Sequence, residues 1–546
     1  MATPKSQRNW KARVKSGCGT CRSRKVKCDE ERPVCRRCFL TGRVCEGYGV
    51  WGGGNTPSRS ECPLMTGSDD LQIIARTLAS IPLVTSNVEE NGYFEWFRSR
   101  AARKLPGTFF SNFWRTLLVQ ATVQEPAVLH AVLALSAAHK RGPAEAYSAE
   151  KSAVMGSQER FMLQQYVRAI GCLQPHFSAR DKASSRVALI ACFVFICLDL
   201  LRSHFESAQV HLQNGLRILR ETHLLPDKAK EVFHPKPDLE AADVWIIEAF
   251  SRLHLQVELL QHLHPHPCFI LQPAGPESTP RDFHTFNEAW QALHSLFNDI
   301  FHLIHLSRHL PATPHHLARQ QQVQTALAHW LTTFQTRLPA PEPPIPTFRH
   351  RFHIILLAYH TLATLLTLIS LDPDNEALPD HHTPHFAHLL SQLDHLWSLS
   401  AADPSSSLVA RRRIPGLLRD GVGVVDMGWL PLLFYVAVRC RVHRLRRQAL
   451  RLLGSAVHRE GIWDSGIVGV VASKVVEVEE GGFYEEEEDD EAVLPEERRL
   501  SGVEFVMLGA PVEEVVVFCR RRGDGAARRV VLARYDVYRK VWADNL

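Results

Sequence analysis

Six cysteines fall close together near the amino terminus, in CGTCRSRKVKCDEERPVCRRCFLTGRVC: Cys18, Cys21, Cys28, Cys35, Cys38 and Cys45. Their spacing is C-x2-C-x6-C-x6-C-x2-C-x6-C, so one pattern occurs twice: a C-x2-C pair, then a third cysteine after six residues. A C-x2-C turn lets two thiolates grip one ion, and zinc takes four such ligands in a tetrahedron at about 2.3 Å. Two four-ligand sites need eight positions, so six sulfurs fill both only if two of them bridge. The first cysteine of each half, Cys18 and Cys35, is the natural bridge. One Zn²⁺ then takes Cys18, Cys21, Cys28 and Cys35, and the other takes Cys18, Cys35, Cys38 and Cys45. Six thiolates outweigh two divalent cations, so basic neighbours are expected on electrostatic grounds.

Those neighbours are present, and they are unequal between the halves. Between Cys21 and Cys28 stand Arg22, Arg24, Lys25 and Lys27; Arg36 and Arg37 separate the second cysteine pair, and Arg43 alone is basic between Cys38 and Cys45. If residues 22–27 form a short helix, its amino-terminal end can enter a DNA major groove. Arg and Lys reach guanine O6 and N7, the commonest specific base contact. The second half would then hold the scaffold and touch phosphates, which position without specifying.

The stretch resembles the fungal Zn2Cys6 binuclear zinc cluster, a DNA-binding module that places a short helix in the major groove. All six ligands, the basic run CRSRKVKC and the Pro33 turn between the halves carry the resemblance. It implies two zinc ions per chain and double-stranded DNA as a partner. It also implies that Lys25, with Arg24 beside it, reads a CGG-like triplet, while Arg22 and Lys27 meet phosphate. A disulfide knot and an RNA-binding zinc knuckle are the bland alternatives. The first is poor, since the flank after Met1 is hydrophilic and basic rather than a signal peptide.

The elements that must carry this cluster follow from the rest of the 546 residues. Residues 1–50 hold 13 Lys and Arg against 4 Asp and Glu, while the whole chain is at +5, so a basic end is attached to a mildly acidic body. That asymmetry puts one end on a polyanion. The seven remaining cysteines have no ligand spacing, and most of them sit in apolar runs and read as buried, reduced thiols. The longest apolar run, Val187 to Leu198, is shorter than the ~20 residues of a membrane span and reads as a core helix, with no membrane partner.

In chain order, residues 1–15 form a basic arm, suited to nuclear import or to phosphate backbone, and residues 16–48 form the zinc module. Residues 49–87 are a Gly- and Pro-rich linker. Leu71, Ile74, Leu78 and Ile81 form one short amphipathic helix in it, ended by Pro82, without a sustained heptad run. Dimerisation by a coiled coil next to the cluster is therefore in doubt, and a homodimer through the large domain or a monomer stays open. From about residue 88 to past 450 the period is helical. Segments are expected at 158–174, 184–202, 205–222, 240–263, 284–309, 315–337, 349–370, 384–399 and 428–455, with Pro126 in the first turn of another. Helices with one apolar face must pack together, giving a small zinc module plus a large, mainly all-α domain.

This region, 88–546, resembles the fungal-specific transcription factor regulatory domain. The resemblance rests on FFSNFWRTLLVQATVQEPAVLHAVLALSAAHK, FESAQVHLQNGLRILRE and DMGWLPLLFYVAVRCRVHRLRRQALRLLGSAVHREGIWD. It implies a nuclear regulator of RNA polymerase II transcription, in the branch frequent among regulators of secondary-metabolite gene clusters, working with transcription machinery or co-regulators. The rival reading is a zinc-cluster adaptor acting through protein contacts of the helical domain.

Four further features have plain readings. The histidines, including His302, His305 and His309 on one face and His262, His264 and His266, are core or surface residues. The arginines at 439, 441, 444, 446, 447 and 451 are a solvated face or pair with acids further along. The aromatic run 93–114 is core. The acidic stretch 477–497 is a disordered, self-repelling loop, with Phe483 and Tyr484 as an activation signature. The tail reads as strands with a hairpin at Gly523 to Gly525, a small carboxyl-terminal β-element. No G-x-S-x-G, P-loop or paired carboxylates appear, and the chain is not expected to be an enzyme.

Overall fold

The computed structural model describes residues 17–18, 20–21, 24–29, 31, 35–41, 43, 87–107, 111–141, 156–179, 181–227, 232–236, 239–260, 283–309, 312–340, 348–401, 424–455, 458–486, 492–521 and 528–544. The expectations for Arg22, Pro33, Cys45, the basic arm, the helix at Leu71–Ile81 and His262, His264 and His266 lie outside these residues.

The helical body is built from amphipathic and fully apolar helices in the expected order. Val88–Trp96 is capped by the Asn87 side chain and runs through a π-type turn, Phe97–Ala101. Pro126 opens Pro126–Arg141, as expected for a residue whose missing N–H is unneeded in the first turn. Ser157–Ser178, Lys182–Leu201 and Phe205–Thr222 follow, then Ala241–Leu260, Phe286–His309, Pro314–Arg337, Phe348–Ile369 and Thr383–Ala401. Phe94, Phe97, Phe113 and Trp114 are buried, so the aromatic run is core.

Lys182–Leu201 is the axis of the first half. Asp181 caps it, accepting from the Ser184 N–H at 2.9 Å, and the helix is buried nearly all round. By length and composition Lys182–Leu201 and Arg349–Ile369 could each cross a membrane; here 89% and 78% of their apolar windows are buried inside the body. Within this half Arg186 pairs with Asp243, Nε to Oδ1 at 2.5 Å, with both side chains buried.

The segment 424–464 ties the two halves together. Arg459 donates through Nη1 to the Leu200 and Leu201 carbonyls at 3.1 and 3.0 Å, closing the end of Lys182–Leu201. It also holds Asp464 at 2.8 Å, and Asp464 in turn caps Ser465–Glu480. Glu460, fully buried, accepts from the N–H groups of Gly428, Trp429 and Leu430 at 2.8, 3.0 and 3.0 Å. It thereby satisfies amides at the start of Leu430–Arg439, the donors a helix leaves unpaired.

Three expectations are corrected. The stretch 428–455 is two helices, Leu430–Arg439 and His443–Gly454, because Cys440 and Val442 are extended and Val442 bridges to Val493. The sequence reading also gave no element between 222 and 240, where Leu224–Asp227 and Val232–Pro235 pair antiparallel, an arrangement open to proline on an isolated hairpin. The acidic stretch 477–497 is not a disordered loop over its described residues. Glu479 and Glu480 finish Ser465–Glu480, and Glu479 is fully buried against Arg446 and, at 3.1 Å, Arg441. The Tyr484 hydroxyl donates to the Arg441 and Ala492 carbonyls at 3.0 and 2.9 Å. Partners from the arginine helices neutralise the acids; of those arginines 441 and 446 are buried, while 444, 447 and 451 face solvent. Residues 487–491 lie outside the described set.

The tail is a four-stranded antiparallel sheet, Ser501–Leu508, Glu514–Arg521, Arg528–Asp536 and Val541–Asp544 in sequential order, one strand more than the sequence suggests. Phe505, Val512, Val515, Val517 and Leu532 enter the main core, so the sheet caps the helical body as expected.

One acid in the body is held away from its ordinary state. Burial raises the Glu258 carboxyl to about 7, against the opposing pull of Arg308, with His254 Nε2 3.3 Å from its Oε1. A raised carboxyl binds its proton more tightly in the folded state. Its contribution is therefore present below the ordinary glutamate range and lost as pH rises through about 7. Glu258→Gln should remove that loss. Urea midpoints of the variant and parent should agree at about pH 4.5 and favour the variant at about pH 8. Equal midpoints at the higher pH would mean that ionised Glu258 costs nothing in the fold.

Candidate metal centre and nucleic-acid interface

The described cysteines of the cluster, Cys18, Cys21, Cys28, Cys35 and Cys38, are buried around one another, joined by Val26. Cys18 and Cys35 sulfurs are 3.7 Å apart, Cys21 and Cys35 3.6 Å, and Cys18 and Cys38 3.8 Å. Tetrahedral ligands at a Zn–S distance of about 2.3 Å stand about 3.8 Å apart, so the spacing fits zinc. The sulfurs of Cys18, Cys21, Cys28 and Cys35, the first expected set, all lie within 4.8 Å of one another. Of the second set, Cys18, Cys35 and Cys38 are brought together and Cys45 lies outside the described residues. Such crowding opposes ionisation: burial first, then the Cys18 and Cys35 sulfurs, push the Cys21 thiol up to about 12. Zn²⁺ supplies the positive charge that lets such thiols ionise.

The two halves repeat in backbone as well as in sequence. The Cys21 N–H donates to the Cys18 sulfur at 3.3 Å, and seventeen residues on the Cys38 N–H donates to the Cys35 sulfur at 3.2 Å. Val26 N–H reaches the Cys21 carbonyl at 3.0 Å, matched by Arg43 N–H to the Cys38 carbonyl at 2.9 Å. In the second half the helix Arg36–Leu40 sits on this frame.

In the first half the helical residues are Thr20 and Cys21, residues 24 and 25 form a turn, and Lys25 adopts a left-handed backbone with φ 55°. Over its described residues the expected helix 22–27 is not formed: Arg24 and Lys25 make a turn and Val26 and Lys27 have no regular structure, while residues 22 and 23 lie outside the described set. Lys25, Lys27, Arg36, Arg37 and Arg43 are exposed and Arg24 is half-buried.

Two contacts hold the halves together, and the sequence reading missed both. Asp29 accepts from the Arg36 and Arg37 N–H groups, each at 2.8 Å, and from the Glu31 N–H at 3.2 Å. Partial burial would raise its carboxyl, yet these backbone donors outweigh that and hold it below the usual range. Arg37 also donates through Nη1 to the Lys27 carbonyl at 3.1 Å, so it works as a strut as well as a surface cation. A carboxylate directly after Cys28 and seven residues before a C-x2-C helix was the available signal.

Asp29→Asn should loosen this join. We expect a several-fold weaker zinc retention against a competing chelator, with the helical body's urea midpoint unchanged. Retention equal to the parent would show that the zinc ions alone align the halves.

With this geometry in hand, the chain can be set beside known proteins. Residues 16–50 match the fungal Zn(2)-Cys(6) binuclear cluster domain, and residues 93–412 match the fungal specific transcription factor domain. The chain belongs to the fungal Zn(2)-Cys(6) transcription factors. Members of this family are DNA-binding transcription regulators, and the cluster domain binds two zinc ions. The chain is 26% identical to the aspercryptin biosynthesis cluster-specific transcription regulator atnN of Emericella nidulans, over 86% of this chain and 88% of that protein. It is 26% identical to the transcription regulator lscL of Purpureocillium lilacinum over 46% of this chain and 58% of lscL. The transcriptional regulatory protein moc3 of Schizosaccharomyces pombe is 58% identical over 38 residues, 7% of this chain and 8% of moc3. No solved structure matches the chain.

Proposed function

We propose that this regulator reads CGG-like triplets through Lys25 and Arg24. In this reading Arg22, Lys27, Arg36, Arg37 and Arg43 contact phosphate, and Cys18 and Cys35 bridge the two zinc ions. The observation that carries it is the left-handed backbone of Lys25. The position seventeen residues later, at the same place in the second half, is Gly42. Glycine adopts this conformation freely, whereas another residue is held there at a cost of about 1–2 kcal/mol. A strained lysine where the repeat has glycine is the mark of a side chain kept for contact rather than for folding.

The protein acts in the nucleus on RNA polymerase II transcription, without enzymatic activity of its own, and its body receives co-regulators. Two relatives of similar make-up, one named for a biosynthesis cluster, support a secondary-metabolite gene cluster as the target. A second reading, an adaptor that uses the cluster for protein contacts, draws on Phe39 and Leu40. They stand 38% and 71% exposed on the helix of the second half.

Lys25→Gly separates folding from reading. The full-length variant should keep both zinc ions and its affinity for scrambled duplex. Its preference for CGG-containing duplex over scrambled should fall by roughly 5–150-fold, the worth of one good base contact at about 1–3 kcal/mol. Fluorescence anisotropy across a salt series measures both. Unchanged preference would remove Lys25 as the reader, and a parent without any preference would leave phosphate attraction and favour the adaptor.

A further inference from the structure

On the helix Ser157–Ser178, Leu163, Val167, Ile170, Gln174 and Phe177 recur at steps of four, three, four and three residues. Val167, Ile170 and Phe177 are 66%, 36% and 60% exposed, Gln174 is exposed and Leu163 half-buried. The other exposed large apolar residues on helices of the body, such as Val210, Val244 and Leu317, stand singly. Gly171, beside the seam in mid-helix, has nothing within 4 Å of where a Cβ would stand. A mid-helix glycine costs about 0.5–1 kcal/mol relative to alanine, and nothing in the described body packs there to offset it. Close approach of a second helix would. Alternating steps of three and four are the spacing of a two-helix seam, where knobs on one helix fill holes on the other.

We propose that this seam docks residues 71–81 of the same chain as a short amphipathic helix. Leu71, Ile74, Leu78 and Ile81 have the same steps, three, four and three. The place where the described chain begins again points to the same occupant. Asn87 caps Val88–Trp96, which lies on Ser157–Ser178 itself. Tyr93 stacks on Phe161 at 4.3 Å, and Glu90 accepts from Gln165 and Arg168 at 3.0 and 2.8 Å. Residues 82–86 alone separate Ile81 from that point. Five extended residues reach about 17 Å, against a helix diameter of about 10–12 Å. The segment can therefore cross from the face held by Val88–Trp96 to the seam. A tether this short keeps it at an effective concentration in the millimolar range, enough for a seam too small to hold a free partner.

Amide hydrogen exchange on the full-length, zinc-loaded protein tests the docking. Amides of 71–81 should exchange at least about tenfold more slowly than those of an unstructured chain. That protection should disappear in Val167→Asp/Ile170→Asp, in the single Phe177→Asp and in Ile74→Asp/Leu78→Asp. Amides of Lys182–Leu201 should stay protected in all three, which reports that the body is still folded. Free exchange of 71–81 in the parent overturns the proposal, as does protection indifferent to the seam substitutions. Protection that declines on dilution, with light scattering showing a dimer, also overturns it and assigns the seam to a second copy.

Discussion

Cys35→Ser should strip both zinc ions from the cluster, whereas Cys28→Ser should disturb the first site directly and leave the second with its full set. Cys35 is the sulfur shared between the proposed sets, 3.7 Å from Cys18 and 3.6 Å from Cys21, and it also accepts the N–H of Cys38. Removing it leaves each tetrahedron with three sulfurs and releases the turn that begins Arg36–Leu40, whose cap is Cys35 itself. Structural zinc contributes about 10–16 kcal/mol of apparent binding energy in small modules, far more than the described apolar packing here, which amounts to Val26. Specific DNA affinity should therefore fall at least about 100-fold, or about 2.7 kcal/mol. Native mass spectrometry counts the zinc ions, and anisotropy reads the affinity. Two zinc ions retained in Cys35→Ser would exclude Cys35 as a bridge.

Glu460→Ala should strongly destabilise the helical body. The carboxylate is fully buried, accepts three backbone N–H groups and lies 2.9 Å from His458 Nε2. Its truncation leaves those amides without an acceptor, at about 1–3 kcal/mol for each buried donor left unsatisfied. The space is closely held: a Cβ on Gly428 would stand 2.2 Å from Glu460 Oε1, and Tyr359 donates to the Gly428 carbonyl at 2.8 Å. We expect a loss of roughly 3–5 kcal/mol, read as a lower urea midpoint of the body. Glu460→Gln, which keeps one acceptor and aims an amide at the same donors, should fall between. A loss under about 0.5 kcal/mol would mean that water replaces the carboxylate at those amides.

The zinc module was the most legible part of the chain, because ligand spacing is a constraint that composition cannot mimic. What the spacing did not convey was the local backbone: the described helical residues, Thr20 and Cys21, precede the expected window, and Lys25 sits in a turn. The comparison of Lys25 with Gly42 was available in the repeat, but only the backbone angle gave it meaning. Helix positions in the body followed from the 3.6-residue period, whereas the break at Cys440–Val442 carries neither proline nor glycine to announce it. The acidic stretch was misread for a physical reason. Self-repulsion is a local property, and the charges that cancel it, Arg441 and Arg446, come from more than thirty residues upstream. Glu460 and Arg459 were within a quoted motif, yet no pattern of types reveals that Glu460 would accept from amides some thirty residues back or that Arg459 would reach the Leu200 and Leu201 carbonyls.

The bond from Arg459 to Leu200 spans 259 residues of chain. At synthesis rates of about 5–20 residues per second, the apolar helix Lys182–Leu201 waits roughly 15–50 s on the ribosome for the side chain that closes it. During that interval its apolar surface stands without the distant segment that completes it. A chain that stopped before position 459 would leave the Leu200 and Leu201 carbonyls without that donor.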